Sequence, residues 1–449
     1  MSITLNDQQQ AAIDGMLDFI ATGDQPFFTL VGAAGTGKTT TIQHLIKALP
    51  NKRICFTAPT NKAVRVLYTM MLANNLDVPC LTIFSLLGLR VTLQKDKEVI
   101  KSGGKSQLDK YDIVVIDECS MVNVELLGYI NRAIKLADTM IIFMGDRCQL
   151  PPIGEATSSV FAIANRAELT KVMRQRSENP VLGLCTDIRH AIEDGATTLP
   201  PITPTQNQSG DMGVHIMSGQ LFNQWMPSAF SQENFDKDYD RFRVIAWRNK
   251  RVDAYNQQIQ AIRYPDLNAP FAVGEPIIFS SPLHRLSTQA DYDFSQSVTA
   301  GWDEILCSTE SEGIISSITL VNPLYFKMSQ DTFELSRYLI TCTMLSGEST
   351  TVSCVITHDK NALKSVLDRI ARDIGNGGEM TWFTFWLLQK YFADVRPAYC
   401  MTSHKSQGST FENVFVDAQD ILSNPNREEA LRCLYVAVSR ASKNVVVNV

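Results

Sequence analysis

Short, nearly unbroken apolar runs recur along the chain: FFTLVG (27–32), RICFTAP (53–59), YDIVVIDE (111–118), TMIIFMGD (139–146), RFRVIAW (241–247), NVFVD (413–417) and NVVVNV (444–449). They are rich in β-branched and aromatic residues, and several are apolar at successive positions. That is the pattern of strands covered on both faces. Between many of them the period changes to that of a helix: Ile42, Leu45, Ile46 and Leu49 share one face, as do Ala63, Leu67 and Met70. Strand alternating with helix predicts parallel α/β sheets.

The alternation stops twice. RVTLQKDKEVIKSGG (90–104) is polar, charged and close to alternating, which predicts a projecting hairpin rather than a core element. Residues 275–395 mix strand-like pieces, GIISSITLV and TTVSCVI, with the aromatic cluster TWFTFWLLQKYF (381–392), and read as a β-rich insertion whose core is Trp382, Phe383, Phe385 and Trp386. The expected division is a first α/β domain over 1–178 with the hairpin at about 90–107, a second over 179–274 and 396–449, and the insertion over 275–395. Residues 195–212, rich in Pro, Thr, Gln and Gly, read as loop.

Composition narrows the class. At 449 residues, 45% hydrophobic and 20% charged, the chain is long enough for more than one buried core and belongs with soluble globular proteins. No apolar run approaches a membrane span and the first residues carry no signal pattern, so a cytoplasmic location is expected, the host's if the chain is phage-encoded. The ten cysteines include no C-x-x-C pair and the six histidines are scattered. This predicts reduced, mostly buried thiols and no tight metal site built from protein ligands alone. The formal charge of −6 argues against blanket attraction to nucleic acid, although a narrow channel needs only local positive charge.

The chemistry begins at LVGAAGTGKTTTI (30–42). Gly32, Gly35, Gly37, Lys38 and Thr39 fit G-x-x-x-x-G-K-[ST], with a predicted strand before and a helix after. In that setting backbone N–H groups and the helix N-terminus face phosphates, Lys38 adds a point charge, and the Thr39 hydroxyl is placed to hold Mg²⁺. The candidate nucleotide contacts are Gly32, Gly35, Thr36, Gly37, Lys38, Thr39 and Thr40. SGGKS (102–106) is not a second copy, because Val99 stands where the first glycine is needed. VVIDECSM (114–121) ends an apolar strand in Asp117 and Glu118: Asp117 is the expected Mg²⁺ partner and Glu118 the residue that polarises a water. These features alone leave a kinase, a GTPase, a clamp loader or a motor open.

MGDRCQLPPI (144–153), LTKVMRQ (169–175), LYVAVSRAS (434–442), LNDQQQAA (5–12), FTAPTNKAV (56–64), TIFSLL (82–87) and TSHKSQGSTFENVFVD (402–417), with the two stretches above, resemble the ordered motif series of superfamily 1 helicases, in the RecD-like (1B) branch. The series runs from residue 5 to residue 442. The resemblance implies two RecA-like parallel-sheet motor domains, with the hairpin a duplex-splitting wedge in the first and the β-rich insertion an SH3-like domain in the second. It implies that Gln9 reads the adenine edge, that Gln149 senses the γ-phosphate and ties hydrolysis to the DNA site, and that Arg174 and Arg440 are arginine fingers on opposite sides of a cleft; a surface ion pair is the plain alternative for each arginine.

The nucleic-acid track implied by the resemblance is Pro59, Thr60, Asn61, Thr82, Phe84, Ser85, Thr402, His404 and Lys405, with Trp247 and Asn249 from AWRNKRVDAYNQQI. Many relatives carry His where this chain has Phe84, which either stacks on a base or packs in the core. For Trp247, core packing is the better reading. The hairpin lacks an aromatic tip, leaving Val99 or Ile100 as an aliphatic one. The implied activity is ATP-dependent, Mg²⁺-assisted DNA unwinding by a monomer moving on single-stranded DNA, 5′-to-3′, in replication or recombination. The implied partners are single-stranded and forked duplex DNA, single-strand-binding protein or replication and recombination proteins, and no membrane. Two alternatives stand beside it: a translocase that strips proteins or remodels recombination intermediates, and a nucleotide-switched single-strand-binding or loader module without motor activity.

Overall fold

In the computed structural model, which describes residues 5–94, 97–171, 179–196, 198–231, 233–285, 305–328, 330–345 and 350–448, the first apolar runs become neighbouring strands. They are β1 (Phe27–Gly32), β2 (Ile54–Ala58), β3 (Cys80–Thr82), β4 (Leu89–Gln94), β5 (Lys97–Ser102), β6 (Ile113–Ile116), β7 (Met140–Gly145) and β8 (Arg166–Leu169). Six of these form a parallel sheet in the order β3-β2-β6-β7-β1-β8. Its unbroken apolar strands are needed because successive side chains point to opposite, equally covered faces. Phe28, Leu30, Ile113, Val115, Ile142 and Met144 meet the helices Asp7–Thr22, Lys38–Ala48 and Asn61–Ala73. Val31, Val114, Ile116, Ile141 and Phe143 bury on the other face, beside Ile83–Leu87 and Val124–Ile134. Each such aliphatic side chain stabilises by about 1.5–3 kcal/mol when fully buried.

In the helix Asn61–Ala73 the buried line is Ala63, Leu67 and Met71 rather than Met70, which is 37% exposed. A stripe at strict i+4 spacing drifts around the helix, and here it follows the twisted sheet. The expected hairpin is β4 paired antiparallel with β5. Its register sets Thr92 opposite Val99, Val91 opposite Ile100 and, as the last described pair, Gln94 opposite Lys97. Val99 and Ile100 are therefore in the strand body, and neither is the tip. Ile100 packs on the first domain's core and its carbonyl accepts the Tyr129 hydroxyl at 2.8 Å.

The remaining strands are β9 (Thr205–Gln206), β10 (Gly213–Met217), β11 (Phe242–Ala246), β12 (Pro276–Phe279), β13 (Leu283–His284), β14 (Ile305–Cys307), β15 (Glu312–Met328), β16 (Asp331–Met344), β17 (Thr351–Ile356), β18 (Val395–Pro397), β19 (Cys400–Thr402), β20 (Phe411–Val416) and β21 (Ala441–Asn448). A second six-stranded sheet runs β19-β11-β20-β21-β10-β9, with β11, β20, β21 and β10 parallel and the short β9 antiparallel at its edge. β9 falls in the stretch expected to be loop.

Both six-stranded sheets belong to one compact unit, residues 1–226, 240–252 and 401–449, and residues 227–239 and 253–400 make a second. The second unit takes in residues 253–274 and 396–400, and its contacts explain why. The buried Glu275 carboxylate accepts from Gln260, from the Tyr399 hydroxyl at 3.2 Å and from the Ala272 amide at 2.9 Å. The sheet of this unit, β17-β16-β15-β12-β18, is antiparallel throughout. Two helices the apolar pattern did not predict, Lys360–Gly375 and Trp382–Tyr391, cover it. They correct the reading of the aromatic cluster in part: Trp382 and Phe383 are 52% and 42% exposed, Phe385 packs half-buried against the core, Trp386 is half-buried, and the fully buried members are Leu387, Leu388, Tyr391 and Phe392. A 3.6-residue period, not the density of aromatics, decides which side chains face the sheet.

All ten cysteines are free, and all but Cys80 are buried. Among the described residues no helix is long and apolar enough to cross a membrane.

Candidate functional site

Gly32 closes β1, and Gly35 and Gly37 adopt left-handed φ of 79° and 83°, conformations that let the chain wrap back on itself before the helix Lys38–Ala48 starts. That helix has no side-chain cap on its first N–H groups, so its positive end faces the loop. The Lys38 ammonium donates to the carbonyls of Gly32 at 2.7 Å and Ala33 at 3.1 Å, lying across the same loop. Thr36 is buried and its hydroxyl donates to Ala33 at 2.9 Å, so it shapes the turn from within; Thr39 and Thr40 are partly buried in the first helical turn. A Cβ at Gly32 would stand 2.6 Å from Thr36 Oγ1 and 3.0 Å from the Leu169 carbonyl. Gly32→Ala must therefore deform the loop, and the expected result is an ATP affinity at least tenfold weaker, together with a lower melting temperature, by titration and thermal unfolding.

Gln9 is buried and serves the helix Asp7–Thr22 as half of a capping box: its Oε1 accepts from Asn6 N–H at 3.0 Å while Asn6 Oδ1 accepts from Gln9 N–H at 2.9 Å. Its Nε2 donates to the Thr36 carbonyl at 3.2 Å, tying that helix to the phosphate-type loop.

Carboxylates stand at the carboxyl end of β6, which β7 separates from β1. Asp117 Oδ1 accepts from the Glu118 amide at 2.8 Å. Burial, then the adjacent Glu118 carboxylate, push the Asp117 carboxyl up to about 7 against the pull of Lys38 and Arg440. Glu118 has a φ of 50°, left-handed for a residue with a side chain, a conformation that costs of order 1–3 kcal/mol and is held by the turn Cys119–Met121 behind it. Its carboxylate lies 3.6 Å from Arg440 Nη1. Arg440 comes from the helix Arg427–Ser439 beside the second sheet, is nearly fully buried, and also donates to the Ser409 carbonyl at 3.2 Å. Gln149 is buried after β7, and its Oε1 has no hydrogen-bond partner among the described residues. The other expected finger, Arg174, lies outside the described residues.

Sequence reasoning missed Tyr435. Its buried hydroxyl donates to the fully buried Asp146 carboxylate and lies 3.5 Å from the Ala34 amide of the glycine-rich loop. Burial, then Asp146, hold this phenol well above its ordinary range, so it stays a donor. Its position in LYVAVSRAS, five residues before Arg440, was the one available signal.

The nucleic-acid candidates gather by strand order. In the first sheet β3 and β2 are adjacent, with Ala58 opposite Thr82, so Pro59–Asn61 and Thr82–Ser85 leave neighbouring carboxyl ends. Thr60 and Thr82 cap the helices Asn61–Ala73 and Ile83–Leu87, accepting from Ala63 at 3.3 Å and Ser85 at 3.1 Å, and Ser85 is exposed. Phe84 is half-buried against the first domain's core. In the second sheet β19 and β11 are likewise adjacent, bringing Thr402, His404 and Lys405 to the end that carries Trp247 and Asn249. Trp247 packs on the core and its amide donates to Asp420 at 2.8 Å, while Asn249 is exposed at the start of its helix. Thr402 is buried and accepts from the Lys405 amide at 3.3 Å. His404, which burial pulls below its ordinary pKa, lies 3.9 Å from Glu429, and with Cys433 these form a trio that the scattered sequence positions did not suggest. The two groups of candidates meet at Gly408, where a Cβ would stand 2.7 Å from Ala63 Cβ and 3.5 Å from Thr60 Oγ1.

One parallel sheet thus carries nucleotide-type residues on the carboxyl ends of β6, β7 and β1 and nucleic-acid candidates on β3 and β2. Residues 4–198 match the AAA domain family and residues 397–448 the UvrD-like helicase C-terminal domain. The ATP-dependent DNA helicase dda of Enterobacteria phage T4 is 26% identical over 444 residues, covering 93% of each chain. The RecBCD enzyme subunit RecD of Buchnera aphidicola is 34% identical over 449 residues, covering 92% of this chain and 68% of that one. A solved structure of DNA unwinding at forked duplex DNA by two coordinating Pif1 helicases shares the fold, with a TM-score of 0.51 and 16% identity over 100% of this chain and 92% of that one. Two RecA-like domains, the ordered motifs and the match to RecD across nearly the whole chain identify it as a member of the RecD-like branch of superfamily 1 DNA helicases.

Proposed function

We propose that the protein is an ATP-driven motor that moves 5′-to-3′ on single-stranded DNA and separates the duplex at a fork, in replication or recombination. The observation that carries this is the 3.6 Å approach of Arg440, from the second sheet's helix, to Glu118 on the first, beside the glycine-rich loop. An ATP held there touches both domains, so its binding and hydrolysis alter how the domains grip a strand. Lys38 and the open helix N-terminus hold the phosphates, Glu118 polarises the attacking water and takes its proton, and Gln149 senses the γ-phosphate and ties hydrolysis to the DNA site. Arg440 neutralises charge on the transferring phosphoryl, as Arg174 does on this reading. Oxygen donors on a desolvated carboxylate suit a small hard cation, so Thr39 and Asp117 would hold Mg²⁺, whose chemistry is to neutralise phosphate oxygens. Gln9 supports the adenine from the loop's flank.

The DNA strand lies across the paired edges β3-β2 and β19-β11, over Pro59, Thr60, Asn61, Thr82, Ser85, Asn249, Thr402, His404 and Lys405. Hydroxyls, amides and single charges grip phosphates without reading sequence, which a motor requires. On this reading Phe84 and Trp247 stiffen the track from the core side. Opening one base pair costs on the order of 1.4 kcal/mol of stacking, well within one ATP per step.

A second reading, a translocase that displaces bound proteins with little unwinding, is favoured by the hairpin register, which keeps Val99 and Ile100 in the strand body. Strand displacement on 5′-tailed and 3′-tailed forked duplexes, with ATP turnover measured alongside, separates the two. Displacement of the 5′-tailed substrate alone is expected. Turnover without displacement selects the translocase, and displacement of the 3′-tailed substrate alone rejects the polarity.

A further inference from the structure

The loop Asp146–Leu150 leaves the first sheet at the end of β7, yet much of its environment comes from the second domain. Cys148 and Leu150 are buried in the second domain's core cluster, with Val181, Leu184 and Leu434. Asp146 receives the Tyr435 hydroxyl and lies 3.9 Å from Arg189. The Leu150 carbonyl accepts from Gln407 Nε2 at 3.2 Å, and Gln407 belongs to the same TSHKSQG segment as the nucleic-acid candidates. Between these two ends sits Arg432. Its Nη1 donates to the carbonyls of Arg147 at 2.7 Å and Gln149 at 3.1 Å, while its Nε and Nη2 donate to Glu428 Oε1 at 3.1 and 3.0 Å.

A guanidinium locked by a carboxylate on one edge presents its other edge as a fixed fork. Here Nη1 alone bridges the carbonyls on either side of Cys148 and so fixes the backbone that carries Gln149. Arg432 lies eight residues before Arg440 on the same helix, so a shift of that helix moves the finger and the Gln149 loop together.

We propose that Arg432, with Gln407, is a positioning residue that aims Gln149 at the nucleotide and so couples DNA occupancy to the rate of ATP hydrolysis. This rests on the reading of Gln149 as the γ-phosphate sensor that ties hydrolysis to the DNA site, and the test separates the two. Misplacing a catalytic group by about 1 Å can cost on the order of 10²-fold in rate. In the full-length protein with an oligonucleotide and ATP, Arg432→Ala is expected to lower the DNA-stimulated kcat by at least about tenfold, while the KM for ATP and the affinity for DNA change by less than about twofold. Arg432→Lys, which keeps one charged donor, is expected to fall between the two, and Glu428→Gln, with both carbonyl bonds intact, to stay within about threefold of the parent. Arg432→Ala combined with Gln149→Ala should be no slower than the worse single variant, because both remove the same function.

Wild-type stimulation in Arg432→Ala, or losses that multiply in the double variant, would overturn the proposal. A Gln149→Ala protein with unchanged kcat overturns the reading of Gln149 and this inference with it. A slow Gln149→Ala beside a normal Arg432→Ala overturns the inference alone. Should Arg432→Ala melt early, the Lys variant carries the test, and an unchanged stimulated kcat there with a lost one in Gln149→Ala counts against the proposal.

Discussion

Lys38→Ala is expected to abolish ATP turnover and strand displacement while leaving single-stranded DNA binding within about twofold of the parent. The Lys38 ammonium lies across the loop Gly32–Gly37, held by two of the loop's carbonyls, and is the one side-chain cation the loop itself supplies. Removing a single preorganised donor from a site of developing charge costs about 10² to 10³ in rate, and here the donor carries a full charge as well. The nucleic-acid candidates leave β3, β2, β19 and β11, not β1, so their geometry does not depend on this ammonium. A coupled turnover assay with fluorescence anisotropy on a labelled oligonucleotide checks both halves. Turnover within tenfold of the parent would remove the glycine-rich loop from the mechanism, and lost DNA binding would show that the two sites are not separate.

Arg440→Ala is expected to lower the turnover rate by about 10³ to 10⁵ while ATP still binds, the range that removal of an arginine finger produces. The guanidinium is buried, 3.6 Å from Glu118 and bonded to the Ser409 carbonyl, so truncation leaves a carboxylate without its cation and a buried carbonyl without its donor. Arg440→Lys is not expected to restore the rate, because a point charge cannot bridge Ser409 and a phosphoryl at once. Single-turnover kinetics with a fluorescent nucleotide separate binding from chemistry. A loss confined to nucleotide affinity would make Arg440 a binding residue and not a finger.

Much of this site was legible before any fold was known. Gly32, Gly35, Gly37, Lys38 and Thr39 form a short spacing that only one kind of turn satisfies, and Asp117–Glu118 ends an apolar run that must be a covered strand. Local order reports itself in local sequence. Other parts were not legible for definable reasons. The aromatic cluster at 381–392 read as insertion core, but a helix buries a stripe and leaves Trp382 and Phe383 outside it. Val99 and Ile100 were candidates for a hairpin tip until the register between β4 and β5 set both in the strand body, and a register of alternating polar residues is not specified by sequence period. Gln9, expected to read the base, also closes a capping box through Asn6, a double use that one glutamine in a helical start does not disclose.

The motifs, the covered-strand runs that announce parallel sheets and the nucleotide-type loop were determined by the sequence by itself, because each is carried by a short local stretch. Only the tertiary structure decided that Tyr435 meets Asp146 and that Arg432 cradles the Gln149 loop, contacts between residues 289 and 283 positions apart. No spacing rule spans such distances: these pairs exist because the loop after β7 and the helix Arg427–Ser439 meet in the folded unit, and the free energy that joins them lies in the buried hydrogen bonds and core of that junction, to which no single segment points.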